Sequence, residues 1–142
     1  LDPAPARKLG AELLQHVDYL TPNEVEAELL TGIQVIDDTT ADQAAHRLLD
    51  AGVGTVIITL GPRGAWWATE KDSGLIPAEN VTAVDTTGAG DAFNGGLAVA
   101  IAEQWTLEKA IRFAGCTGAL SVTELGAQSS LPVKAAVEAL LN

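Results

Sequence analysis

The run Thr55 to Leu60, TVIITL, constrains this chain more than any other stretch. Its β-branched and apolar residues do not alternate with polar ones. A half-solvated strand alternates with a period of two, whereas an unbroken apolar run suits a central strand buried on both faces. Such a strand needs helices on either side, and the rest of the 142 residues supplies them. Spacing predicts helices over Ala4 to Val17, Pro22 to Thr31, Thr40 to Ala51, Ala92 to Glu103, Leu107 to Leu120 and Pro132 to Leu141. Thr21 with Glu24, and Thr40 with Gln43, have the pattern of capping boxes. Gly32 and Gly52 stand where helices end. Val17 to Leu20 and Val81 to Val84 read as short strands, and Ala65 to Thr69 with Leu75 to Pro77 as a hairpin. Helices alternating with strands make the chain α/β, with a parallel or mixed sheet covered on both faces. No repeat, linker or low-complexity tract interrupts it.

Charge narrows the partners. A formal net charge of −11 disfavours nucleic acid and anionic membrane. It leaves ATP open, because backbone amides and a metal bind phosphates locally. No apolar run approaches the roughly 18 residues that a membrane span needs. The single Cys116 cannot form an internal disulfide and reads as a buried thiol, compatible with a reducing cytoplasm. The chain opens on Leu1-Asp2-Pro3 and contains no Met, so a processed or truncated piece is expected.

The strongest chemical signal is Val84 to Asn94, VDTTGAGDAFN: strand, glycine loop, helix. Gly88 and Gly90 permit backbone angles closed to other residues, and Ala89 adds little bulk. Their N–H groups can converge on one point, with the positive end of the following helix behind them. Negative charge on a transferring phosphoryl group would be stabilised there. Asp91 is out of place as a ligand for an anion. It reads either as an acid favoured by the helix dipole or as a general base taking a proton from an attacking hydroxyl. The stretch is neither a Walker A sequence nor G-x-G-x-x-G.

Asp85, Thr86, Gly88, Ala89, Gly90 and Asp91 match D-T-x-G-A-G-D, and the stretch resembles the carboxy-terminal signature of the PfkB (ribokinase-like) carbohydrate kinases. The resemblance implies that Asp91 is the catalytic base and that the Gly88-Ala89-Gly90 backbone forms the anion hole. Other segments agree, in the family's order. Leu1 to Arg7, LDPAPAR, resembles L-N-P-A-P-A-R. Asn23 and Glu26 form an N-x-x-E arrangement at a helix start; they read either as solvated first-turn residues or as outer partners of a hydrated Mg²⁺, the role the family implies. Thr59-Leu60-Gly61-Pro62-Arg63-Gly64 matches T-L-G-x-x-G at the carboxyl end of the central strand, where open α/β sheets bind ligands. The resemblance makes Thr59, Gly61 and Gly64 nucleotide contacts, with Asn23, Gly90 and Gly115 beside them. Arg63 either approaches phosphates or faces solvent. Ser121 to Ser130 resembles the segment that completes a monovalent-cation site, implying K⁺ held by Asp85, the Thr87 carbonyl, the carbonyls of Ser121, Glu124 and Gly126, and Ser130. Gly115 stands where relatives often carry Asn or His near adenine, so a side-chain contact to the base is missing. Of Trp66 and Trp67, one is expected inside and one at the surface. His16 and His46 receive no chemistry.

The resemblance covers essentially all of residues 1–142. It implies a three-layer, Rossmann-like sheet that is incomplete, lacking the amino-terminal half with its sugar contacts and its lid. These residues are then the carboxy-terminal nucleotide-binding and catalytic part of a cytoplasmic kinase. The implied reaction is ATP-dependent phosphorylation of a sugar, D-ribose foremost, with ATP, Mg²⁺ and K⁺ as cofactors and a homodimer through the missing lid. The fragment alone is expected to have little activity. Two other readings stand: a fructokinase-like or nucleoside kinase of the same family, and a non-catalytic nucleotide-binding module.

Overall fold

The computed structural model describes residues 1–141, which form two compact units divided after Leu75.

The first unit is built on a mixed four-stranded sheet. Its order is β1 (Tyr19–Leu20), β2 (Thr55–Thr59), β3 (Ala65–Ala68), β4 (Ser73–Ile76). β1 runs parallel to β2, and β3 antiparallel to it, with Ile57 opposite Trp67 and Ile58 opposite Trp66. Val56, Ile57 and Ile58 are all fully buried, so the central strand is covered on both faces as its composition requires. Val56 and Ile58 join one core cluster with Leu20, Ala27, Ala44, Leu48 and Ala68. Ile57, next along the strand, points to the opposite face.

Three helices accompany the sheet. α1 is a single turn, Ala11–Leu14, where the spacing predicts a helix from Ala4 to Val17. Gly10 stands at its cap and residues 15–18 leave it to enter β1, so the apolar period outlasts the helix. α2 spans Glu24–Thr31 and ends on a left-handed Gly32. Its cap is Asn23, not Thr21: Asn23 Oδ1 accepts from the Glu26 amide at 2.9 Å, and Glu26 Oε2 accepts from the Asn23 amide at 2.8 Å. α3 spans Asp38–Asp50, with Asp37 and Thr40 as its capping box, so the helix begins two residues before the predicted start. Trp67 is buried, and Trp66 is partly exposed while packing against the core, its indole N–H without a partner among the described residues.

The second unit is helical: α4 (Ala89–Ala102), α5 (Leu107–Ser121) and α6 (Lys134–Leu141). The predicted strand at Val81 to Val84 does not form. The amides of Val84 and Asp85 both donate to the Val122 carbonyl, at 2.7 and 3.1 Å, so this segment spends its donors on the end of α5. α4 and α5 pack closely through small residues. A Cβ on Gly96 would lie 2.5 Å from Thr117 Oγ1 and 3.1 Å from Ala114 Cα. No helix among the described residues is long and apolar enough to cross a membrane.

Candidate active site

In the second unit the glycine stretch is the start of α4 itself. Gly88 is the cap, in a left-handed conformation (φ 78°), and Ala89, Gly90 and Asp91 are the first three helical residues. The loop is therefore shorter than the sequence implies, and Gly90 corrects the expectation of an unusual backbone angle: only Gly88 has positive φ. Gly88 is also sterically fixed, because a Cβ there would fall 2.9 Å from the Ala127 Cβ. At Gly90 a Cβ would meet nothing within 4 Å, so its missing side chain leaves the first turn of the helix uncovered. The amides of Gly90 and Asp91 take no hydrogen-bond partner among the described residues. Unpaired first-turn N–H groups at a positive helix end are of the kind that attract anions.

Asp91 is exposed, and its carboxylate makes no hydrogen bond or ion pair among the described residues. It stands at the edge of a cavity of about 490 Å³ whose lining is chiefly apolar, including Val99, Phe113, Leu131 and Val137. An acid outside the capping network, next to bare amides and an opening, is available to accept a proton.

Asp85 holds this turn in place. Its Oδ1 accepts from the Thr87 amide and its Oδ2 from the Gly126 amide, each at 3.0 Å. These two bonds, that from Gly126 foremost, draw the Asp85 carboxyl below its usual range. Asp85, Thr87 and Gly126 thus lie together, joined by backbone amides on the Asp85 carboxylate. Ser121 and Ser130 are buried, and their hydroxyls donate to the carbonyls of Gly118 and Ala127. Glu124 is exposed on the intervening turn. Among the described residues no three His, Cys, Asp or Glu side chains are placed to hold a metal ion, so a cation here would depend on carbonyl oxygens. Gly115 is half-buried on α5 with open space where a Cβ would stand.

In the first unit, Asn23 and Thr59 form an isolated parallel bridge, which sets the start of α2 beside the end of β2. Gly61–Arg63 continue as a 3₁₀ turn, with Gly61 (φ 56°) and Gly64 (φ 109°) in positive-φ conformations. Asn23, Thr59, Gly61 and Gly64 therefore gather at the carboxyl end of the sheet. Asn23 and Glu26 close the capping box; Asn23 is exposed at the cap, whereas Glu26 is not a solvated residue, being only 6% exposed. Arg63 reaches back to Glu24 and Asp38.

The family model for pfkB family carbohydrate kinases matches residues 1–134. The chain belongs to this family. Among curated PfkB relatives, the ribokinase of Haemophilus influenzae is 48% identical over 134 residues, covering 94% of this chain and 44% of that protein. The deoxyribokinase of Salmonella typhi is 42% identical over 133 residues, covering 93% of this chain and 44% of that protein. Among solved PfkB structures, the ribokinase of Thermotoga maritima superposes with a TM-score of 0.90 at 44% identity, over 99% of this chain and 47% of that one. Arabidopsis thaliana ribokinase, complexed with ribose and ATP, gives 0.93 at 33% identity, over 99% of this chain and 46% of that one. The chain thus has the ribokinase-like PfkB fold, a mixed sheet flanked by helices, and spans just under half the length of these relatives. Ala127 and Arg63 are the residues whose places the sequence did not disclose. Ala127 packs under Gly88 from far along the chain, and no local pattern marks it.

Proposed function

We propose that residues 1–142 are the nucleotide-binding and catalytic-base portion of an ATP-dependent sugar kinase, with D-ribose as acceptor and D-ribose 5-phosphate as product. The arrangement at the start of α4 carries this reading: unpaired Gly90 and Asp91 amides stand beside an uncommitted Asp91 carboxylate at the edge of a cavity. In the reaction the sugar hydroxyl attacks the γ-phosphorus of ATP while Asp91 takes its proton. The new O–P bond forms as the bond to the β,γ-bridging oxygen breaks, and ADP leaves. Charge growing on the transferring group would meet the unpaired Gly90 and Asp91 amides at the end of the Gly88-Ala89-Gly90 stretch, while the Ala89 amide stays on the Thr86 carbonyl at 3.2 Å. The ends of β1 and β2, with Asn23, Thr59, Gly61 and Gly64, are the proposed nucleotide contacts.

Mg²⁺ accompanying ATP supplies charge compensation when bound. Asn23 and Glu26, already bonded to each other, suit an outer role through water rather than direct ligation. For K⁺ the oxygen-rich set is the Thr87, Ser121, Glu124 and Gly126 carbonyls with Asp85 and Ser130. Both Asp85 oxygens accept backbone amides, so Asp85 would set the shape of such a site as well as its charge.

Ribose is preferred because several of the relatives are ribokinases, although the deoxyribokinase at 42% identity makes 2-deoxyribose the acceptor to compare with it. These residues alone are expected to turn over little sugar, since they span under half of the relatives' length. The test uses a polypeptide carrying the remaining length of the family fold. There Asp91→Ala is expected to lower ribose phosphorylation by about 10²-fold or more while leaving ATP affinity nearly unchanged. Unchanged turnover would remove Asp91 from its role.

A further inference from the structure

Arg63 offers an inference that rests on the nucleotide reading and goes beyond it. The carboxyl end of the first unit's sheet is where a nucleotide would approach, yet it is rich in carboxylates. Glu24 and Glu26 lie in the first turn of α2, Asp37 caps α3, and Asp38 is the first residue of α3. Helix starts attract anions, but carboxylates already stand at both of these. Left uncompensated, they would repel a triphosphate.

Arg63 is the cation set among them. Its guanidinium lies 3.0 Å from Glu24 Oε1 and 3.6 Å from Asp38 Oδ1. Its charge also helps to hold the Asp37 carboxyl below its usual range, after the larger effect of the Thr40 hydrogen bonds. The residue sits at the end of the 3₁₀ turn that follows β2. There the Leu60 amide donates to the Gly64 carbonyl at 2.8 Å, and the Arg63 amide to the Leu60 carbonyl at 3.2 Å. One planar fork thus ties the turn to the first residues of two helices. As a contribution to stability, exposed pairs of this kind are worth only about 0–1 kcal/mol.

We propose that Arg63 is a positioning residue for nucleotide phosphates: it braces the Gly61–Gly64 turn against α2 and α3 and offsets the Glu24 and Asp38 carboxylates, so that a polyanion can approach. It acts through those acids and the turn. The effect falls on phosphates and spares the uncharged part of a nucleotide.

The experiment is calorimetric titration, with Mg-ATP and separately with adenosine, of a polypeptide carrying this chain and the remaining length of the family fold. Arg63→Ala is expected to weaken Mg-ATP roughly threefold to tenfold and to leave adenosine unchanged. Arg63→Lys, which keeps the charge, retains most of the affinity. Adding Glu24→Gln and Asp38→Asn to Arg63→Ala restores Mg-ATP binding. Equal loss of both ligands without that restoration, or no loss at all, overturns the proposal. A wild-type chain that binds neither ligand overturns the nucleotide reading itself, and the role of Arg63 with it.

Discussion

Two helices, one in each unit, carry an acid at their third residue, and the two acids are used in opposite ways. Glu26 of α2 is buried and closes a capping box with Asn23, so both the carboxylate and the amide it meets are satisfied. Asp91 of α4 is exposed and reaches back to nothing. The difference begins in the cap residue. Asn23 has a side chain that accepts the amide of the third residue; Gly88 has none. It continues in length, since Asp is one methylene shorter than Glu, the residue that usually completes the reciprocal bond. A helix start can spend its polar groups on its own stability or leave them for a ligand. The first unit does the former; in the second, the Asp91 carboxylate and the Gly90 and Asp91 amides have no partner among the described residues.

Substitutions at the two starts can break or sharpen this contrast. The largest effect is expected at Gly88, where alanine would have to adopt a left-handed backbone with its Cβ 2.9 Å from that of Ala127. Gly88→Ala should cost roughly 1–3 kcal/mol, read by urea unfolding. A neutral result would mean that the turn is not held against Ala127. Next comes Asn23→Ala, expected to cost about 1 kcal/mol by removing the acceptor of the Glu26 amide. Amide exchange should quicken in the first turn of α2 and stay unchanged in that of α4.

A smaller effect, confined to acid, concerns Asp85. Its folded carboxyl titrates below its unfolded value of roughly 4, so its contribution is present above that pH and fades as pH falls through the folded value. Exchange of the Thr87 and Gly126 amides should therefore quicken in that acid window. Asp85→Asn should weaken the clasp at neutral pH and flatten this dependence, because an amide nitrogen would face one of the two donors. The smallest stability change is expected at Gly90, whose Cβ would meet open space in a helical backbone. Gly90→Ala should alter stability by no more than about 1 kcal/mol, in the stabilising direction. Phosphate binding is where it should show, because the added methyl covers the first turn. If Gly90→Ala leaves affinity for Mg-ATP intact, the bare start of α4 is not the anion site.

Much of this was legible in the sequence because it depends on local chemistry. TVIITL read as a doubly buried strand, and β2 is one, since that inference needs only composition and length. The glycine stretch announced a turn before a helix, though not that the helix begins at Ala89. Helix starts were displaced at Asn23 and Asp37 because Thr, Asn and Asp in succession all make acceptable caps, and packing chooses among them. Val81 to Val84 was misread because β-branched residues mark a strand only where a neighbour offers a ladder. The Asp85–Gly126 bond and the contacts of Arg63 join residues far apart in sequence, so no window of spacing contains both partners.

The clasp between Asp85 and Gly126 has a longer reach. It spans 41 residues of chain and fixes the turn from which α4 departs. The tilt of that opening turn is therefore governed from the far side of the α4–α5 hairpin. Changes along 126–130 would therefore shift the first turn of α4 directly, through Gly126 on Asp85 and Ala127 against Gly88.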